Sequence, residues 1–218
     1  MKKLSLLTLL TLIFSFTTLN AQNDHDQDEN REPNSRFSFM AYGGIGYAVA
    51  DGKWQPNYNL DANIGEFLVQ YRIGKHFGIS TGIGLVELTG NGFYYTHGPF
   101  YHERAYLKFP LLFSVNYNVV PKVRLLANVG PYGQVIHRDE FIFYNGGNVN
   151  DIYSGWSIGL QFAIGMSYHI NSRMSLGIMF SSQGDFNRLS IDTNKKIFAD
   201  PQRISRINTL GFVFTFNL

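Results

Sequence analysis

Trp156-Ser157-Ile158-Gly159-Leu160-Gln161-Phe162-Ala163-Ile164-Gly165-Met166-Ser167-Tyr168-His169 is the stretch whose reading decides the fold. Taken at every second residue it separates without exception. Trp156, Ile158, Leu160, Phe162, Ile164, Met166 and Tyr168 fall on one side; Ser157, Gly159, Gln161, Ala163, Gly165, Ser167 and His169 fall on the other. Successive side chains of a strand point to opposite faces, so this is a β-strand with one large apolar face and one small or polar face.

The same division repeats on both sides of this stretch. In the last strand Leu210, Phe212, Phe214, Phe216 and Leu218 oppose Gly211, Val213, Thr215 and Asn217. Around residue 110, Leu107, Phe109, Leu111, Phe113, Val115 and Tyr117 oppose Tyr106, Lys108, Pro110, Leu112, Ser114 and Asn116. Near residue 80, Phe77, Ile79, Ile83 and Leu85 oppose Gly78, Ser80, Gly82 and Gly84. Eight strands are expected in all: Phe37 to Ala50, Leu60 to Ile73, Phe77 to Leu88, Arg104 to Tyr117, Lys122 to His137, Ser154 to Ile170, Met174 to Gln183 and Arg203 to Leu218. The connections alternate between tight turns and longer polar loops, with the long ones at 51–59, 89–103, 138–153 and 184–202. Short turns on one rim and long loops on the other mark an outer-membrane barrel.

Volume decides which face meets which solvent. Eight closed strands enclose room for little more than their own side chains, and the Phe, Trp, Ile and Leu residues above would overfill that space. The Gly, Ala and Ser residues fit it. Turning the other face outward would also set Lys108 against lipid, at a cost of about 2–4 kcal/mol near the midplane. The expected fold is therefore all-β: an eight-stranded antiparallel transmembrane up-and-down β-barrel, large groups out and small or charged groups in. Tyr47, Tyr71, Tyr117, Trp156 and Tyr168 stand near strand ends, where interfacial aromatic girdles belong.

The N-terminus agrees with export. Lys2 and Lys3 precede an apolar run from Leu4 to Leu19, and Ala21 supplies a small residue at the expected cleavage point. Residues 1–21 read as a signal peptide. Residues 22–36 hold no large apolar side chain and read as a disordered periplasmic tail, and residues 37–218 form the barrel. The 218 residues carry a net charge of +2 with no basic stripe, so no nucleic-acid partner is expected. There is no Cys, which excludes disulfides, thiolate metal sites and Cys nucleophiles.

Tyr106-Leu107-Lys108-Phe109-Pro110-Leu111-Leu112 resembles the "YLxIPLLL" strand of a barrel family common in Bacteroidota that includes PorT-like proteins. Asn128-Val129-Gly130-Pro131-Tyr132-Gly133 is similar to the "GPY" strand that follows it in that family. The resemblance runs from about Phe37 to Leu218. It implies an OmpA-like eight-stranded barrel in the outer membrane, and for the PorT-like members an accessory role in protein secretion. No catalytic residue carries over.

Glu66, Arg72, Lys108, Arg124 and His169 fall on the lumen face and are expected to form a structural network that plugs the barrel, with Glu66 paired to Lys108 or Arg124; the competing reading is a charged pore. Phe93, Tyr94, Tyr95, Phe100 and Tyr101 form a loop aromatic patch, either a binding surface or a cover for the rim. His97, His102 and Glu103 match no zinc spacing. A Ser–His–Asp site for lipid modification would need Ser154, His137 and Asp139 to meet at the outer rim. The expectation is no enzyme, no cofactor and no metal. The expected partners are outer-membrane lipid, the barrel-assembly machinery during insertion, and a protein at the extracellular loops or the periplasmic rim.

Overall fold

The computed structural model describes residues 35–95, 98–144, 147–150, 152–191 and 200–218. The expected signal peptide and nearly all of the expected tail lie outside the described residues. The chain runs through eleven strands: β1 (Phe37–Gly52), β2 (Tyr58–Arg72), β3 (Phe77–Tyr94), β4 (Gly98–Val120), β5 (Val123–Phe143), β6 (Asn148–Asn150), β7 (Tyr153–Ser154), β8 (Trp156–His169), β9 (Met174–Asp185), β10 (Ser190–Ile191) and β11 (Gln202–Asn217). The eight long ones pair in the ring β1-β2-β3-β4-β5-β8-β9-β11, every contact antiparallel. The ring closes between first and last strand from Ser38 opposite Asn217 to Gly52 opposite Gln202, so no long edge is left for aggregation. The three short strands lie beyond one rim, β6 on β5 and β10 on β7.

The barrel is inside-out. On β8 the side chains of Ile158, Leu160, Phe162, Ile164 and Met166 are exposed, whereas Ser157, Gln161, Ala163 and Ser167 are buried. Ile45, Phe67, Ile83, Leu85, Leu111, Ile178, Leu210 and Phe212 continue the same exposed belt around the ring. Such a belt is far larger than the apolar patches soluble proteins leave in water, and it is the lipid-facing band of a transmembrane barrel. Tyr71, Tyr117 and Tyr168 stand exposed at its short-turn end, and Tyr47 and Trp156 at the other. Glycines on the inner face make room for rings: a Cβ on Gly44 would strike the Tyr42 side chain, and one on Gly159 the Tyr132 side chain.

Three strands run further than their polarity suggests. β3 continues past Leu88 to Tyr94, β4 begins at Gly98 instead of Arg104, and β5 continues past His137 to Phe143. Thr89, Asn91, Glu103 and Glu140 point outward there, above the apolar belt. Polar side chains on that face are therefore a sign of water, not of a loop. One irregularity accompanies the extension. Ala105 faces Arg138 while Tyr106 faces Ile136, so His137 is an extra residue on β5. This bulge exchanges the faces of everything after it, and Asp139 and Phe141 turn inward.

Candidate functional site

The interior divides into levels. Next to the short turns it is lined by Ser38, Gln70, Ser80, Ser114, Ser167, Ser175, Thr215 and Asn217, all buried. Ser80 bonds Ser114 at 2.6 Å and Ser38 donates to Gln70 at 3.2 Å. Gln70 Nε2, Ser167 Oγ, Ser175 Oγ, Thr215 Oγ1 and Asn217 Nδ2 find no protein partner among the described residues. Above lies an apolar layer that includes Met40, Leu68, Leu112, Leu126, Met179 and Val213.

The next level is ionic. Lys108 Nζ donates to Glu66 Oε1 at 2.6 Å and also to Gln183 Oε1. Gln161 Nε2 donates to both Glu66 oxygens, at 3.2 Å each. The ammonium also sits 4.8 Å from the Tyr132 ring centre. Tyr132 in turn donates to Asp185 at 2.7 Å, and Gln134 donates to the same oxygen at 3.1 Å. The Lys108 and Glu66 side chains are essentially without solvent contact. A pair so buried holds its charge only because every member is bonded.

A second ionic cluster lies beyond the lipid belt. Arg104 Nε donates to Asp139 Oδ1 at 2.7 Å, and His102 Nε2 lies 2.9 Å from the same oxygen. Tyr58 Oη is 2.8 Å from His102 Nδ1 and accepts from Gln202 at 2.9 Å. With the imidazole proton on Nε2, His102 donates to Asp139 and accepts from Tyr58. Tyr153 N donates to Asp139 Oδ2 at 3.3 Å, and the Arg104 guanidinium lies 4.8 Å from the Tyr153 ring centre. Burial pushes His102 down to about 4, helped by the neighbouring guanidinium. Burial alone would raise Asp139, but Arg104 and His102 hold it down at about 2. Over this cluster Tyr94, Phe100, Phe141, Ile152, Tyr153 and Leu189 form a buried apolar cap.

Of the residues singled out from the sequence, Glu66 and Lys108 come together in the interior. Arg72, Arg124 and His169 stand at the short-turn rim instead. Arg72 Nη2 donates to Ser35 O at 2.6 Å, Arg124 Nε donates to Asn118 at 3.1 Å, and His169 is half-buried at the end of β8. The aromatic group splits by parity: Tyr94 and Phe100 are in the cap, whereas Phe93 and Tyr95 are exposed and Tyr101 is half-buried. His102 points inward, and its neighbour Glu103 is bonded to Arg138. His97 lies outside the described residues. His137 and Ser154 are exposed while Asp139 is buried, so these three do not converge. Among the described residues no three His, Cys, Asp or Glu side chains are grouped to hold a metal ion.

Outside the cap, β3, β4 and β5 form a ledge whose exposed aromatics are fixed by polar contacts. Tyr144 donates to Asn91 at 3.0 Å, Tyr95 N donates to Gln55 at 3.0 Å, and Phe93 meets the Tyr95 ring edge-on.

No family model matches the chain, and no curated protein matches it. The structure of Neisserial surface protein A is similar, with a TM-score of 0.52 at 12% identity, covering 84% of this chain and 98% of that one. The outer membrane protein OprG of Pseudomonas aeruginosa aligns at a TM-score of 0.49 and 11% identity, over 87% of this chain and 100% of that one. The first likeness agrees in fold with the inside-out barrel described above.

Proposed function

We propose that this chain is an outer-membrane barrel that acts through its extracellular surface, with a lumen closed by its own side chains. The observation that carries the reading is the stacking of two buried ion pairs along the axis, Glu66–Lys108 and Arg104–Asp139, under a buried apolar cap. Polar groups invested in bonding one another are unavailable to a passing solute. The surface left for recognition is the ledge, where Phe93 near the end of β3, and Tyr95 and Tyr144 one residue past the ends of β3 and β5, stand in water. Aromatic anchors with few rotamers are the side chains that dominate protein interfaces. The alternating Phe212, Phe214, Phe216 and Leu218 of the last strand suit recognition by the barrel-assembly machinery.

Photo-crosslinking from positions 93, 95 and 144 in intact cells tests this. The expected result is a discrete adduct with an envelope or external protein from these positions, and none from position 134 in the lumen. A chain that fails to fractionate with outer membranes would overturn the reading. The "YLxIPLLL"-like strand at Tyr106 to Leu112 supports a second reading, an accessory role in secretion; adducts with secretion components would select it.

A further inference from the structure

The rim above the lipid belt is divided by charge. Outward on β2, β3, β4 and β5 stand Asp61, Glu87, Glu103 and Glu140, with Arg138 bonded to Glu103. On the flank made by β11, β1 and the segment after β9 stand Lys53, Arg188, Arg203 and Arg206, with Asp51 and Asp200 as the carboxylates among the described residues there. Asp200 is buried, and its Oδ1 is taken by the backbone amides of Lys53 and Trp54, at 2.8 Å each. Asp51 Oδ2 is shared by two arginines, Arg203 Nε at 2.8 Å and Arg188 Nη2 at 3.1 Å. Among the described residues the flank therefore carries a net positive charge that its own groups do not neutralise.

The two outermost cations face the same way because of a bulge. Val49 pairs with Arg206 but Ala50 pairs with Ile204, so an extra residue on β11 leaves both Arg203 and Arg206 outward. Arg203 spends only Nε on Asp51, and its side chain is about one-third exposed. Arg206 is exposed. Directly below, Asn208 donates to Tyr47 Oη at 2.8 Å, and below that begin the bare apolar side chains of Ile45 and Leu210. One strand step of two residues rises about 5 Å along a tilted barrel, so Arg206 stands at the level of lipid headgroups. Trp54, exposed with Lys53 4.5 Å from its ring centre, flanks them above.

We propose that Arg203 and Arg206 form a docking site for the phosphate group of an anionic glycolipid in the outer leaflet. A phosphate offers several acceptor oxygens, and two guanidinium forks with free N–H groups match it better than a single ammonium would. The apolar belt below receives the acyl chains, and Tyr47 and Trp54 the interface. The acidic flank, which begins at Asp61 on β2 beside Tyr47, repels the same headgroup, so the bound lipid is held to the β1–β11 side of the barrel.

The inference rests on the membrane reading above. The test reconstitutes the full barrel in phosphatidylcholine nanodiscs with a bisphosphorylated lipid A, with its dephosphorylated form, or with inorganic phosphate in solution. Native mass spectrometry then counts what survives detergent exchange. The expected result is one bisphosphorylated lipid retained by the wild type and by the acidic-flank variant Glu87→Gln. Retention should fall by about tenfold in the Arg203→Gln/Arg206→Gln variant, the loss of one or more charge-assisted hydrogen bonds. Equal retention by that variant, or equal retention of the dephosphorylated lipid, overturns the inference. So does displacement by millimolar inorganic phosphate, which would indicate a site for the free ion. A chain that does not enter the bilayer overturns the membrane reading along with it.

Discussion

Lys108 shows what a buried charge demands of this sequence. Its ammonium sits on β4 and reaches Glu66 on β2 across Gly84 on β3, where an added Cβ would press on the Glu66 Cγ at 3.2 Å and touch the Lys108 Cβ at 3.5 Å. Replacing Glu66 by Gln keeps the shape and strands the charge. It is expected to destabilise the barrel by about 3–5 kcal/mol, and the double variant with Lys108→Met to recover most of that loss; guanidinium unfolding of the refolded proteins reads both. His102 answers to pH. Its ordinary value of 6.5 falls to about 4 in the closed cap. The open form therefore binds the proton first, and the cap is at full strength above about pH 6.5. It weakens as pH falls through the window down to about 4, by about 3 kcal/mol in total. Asp139, held near 2, keeps its charge throughout that window. Hydrogen-exchange protection of the Tyr153 amide should drop about tenfold per pH unit between 6.5 and 4, and His102→Gln should flatten the slope. These residues were unequally legible. Phe100, His102, Arg104, Tyr106 and Lys108 are every second residue of one strand, so extending the parity beyond Arg104 finds the first two. Asp139 shares a face with them only through the bulge at His137, and no residue type there announces it.

At the scale of the strand, period two was legible wherever lipid makes the outward face apolar, and became obscure where water replaces lipid. β8, all of it within the belt, is bounded by Trp156 and His169, within two residues of expectation at the first end and one at the second. β4 was read six residues short at its start, because Tyr101 and Glu103 outside and Phe100 and His102 inside give no apolar contrast. The same dependence on the outer solvent sets what each outward position tolerates. Ile164 lies in the middle of the belt on β8, and Ile164→Arg is expected to cost about 2–4 kcal/mol in refolding stability in lipid vesicles. Thr89→Arg, outward on the extended part of β3, should fall within about 0.5 kcal/mol of wild type, as surface changes do. Similar losses at both positions would mean that the belt reaches higher than it has been placed.

For the molecule as a whole, the question left by the sequence was whether eight strands enclose a path. Two neutral ion pairs, an apolar layer beneath them and an aromatic cap above them obstruct the axis at separate heights. Obstructions in series have a consequence that a single gate lacks: removing any one of them leaves the others in place. Wild-type protein in a planar bilayer is therefore expected to show no steady conductance, and so is the Glu66→Ala/Lys108→Ala variant, because Arg104, Asp139 and the rings of Phe100, Phe141 and Tyr153 still close the outer end. Conductance should appear only when the apolar layer and the cap are cleared together with both ion pairs, by adding Arg104→Ala, Asp139→Ala, Leu68→Ala, Leu112→Ala, Phe100→Ala and Phe141→Ala to that variant. Ions then enter a wall of serines, asparagines and glutamines whose polar atoms can replace their hydration. Steady single-channel currents from the unaltered barrel would defeat the plug, and currents from the inner-pair variant alone would reduce it to a single level at Lys108.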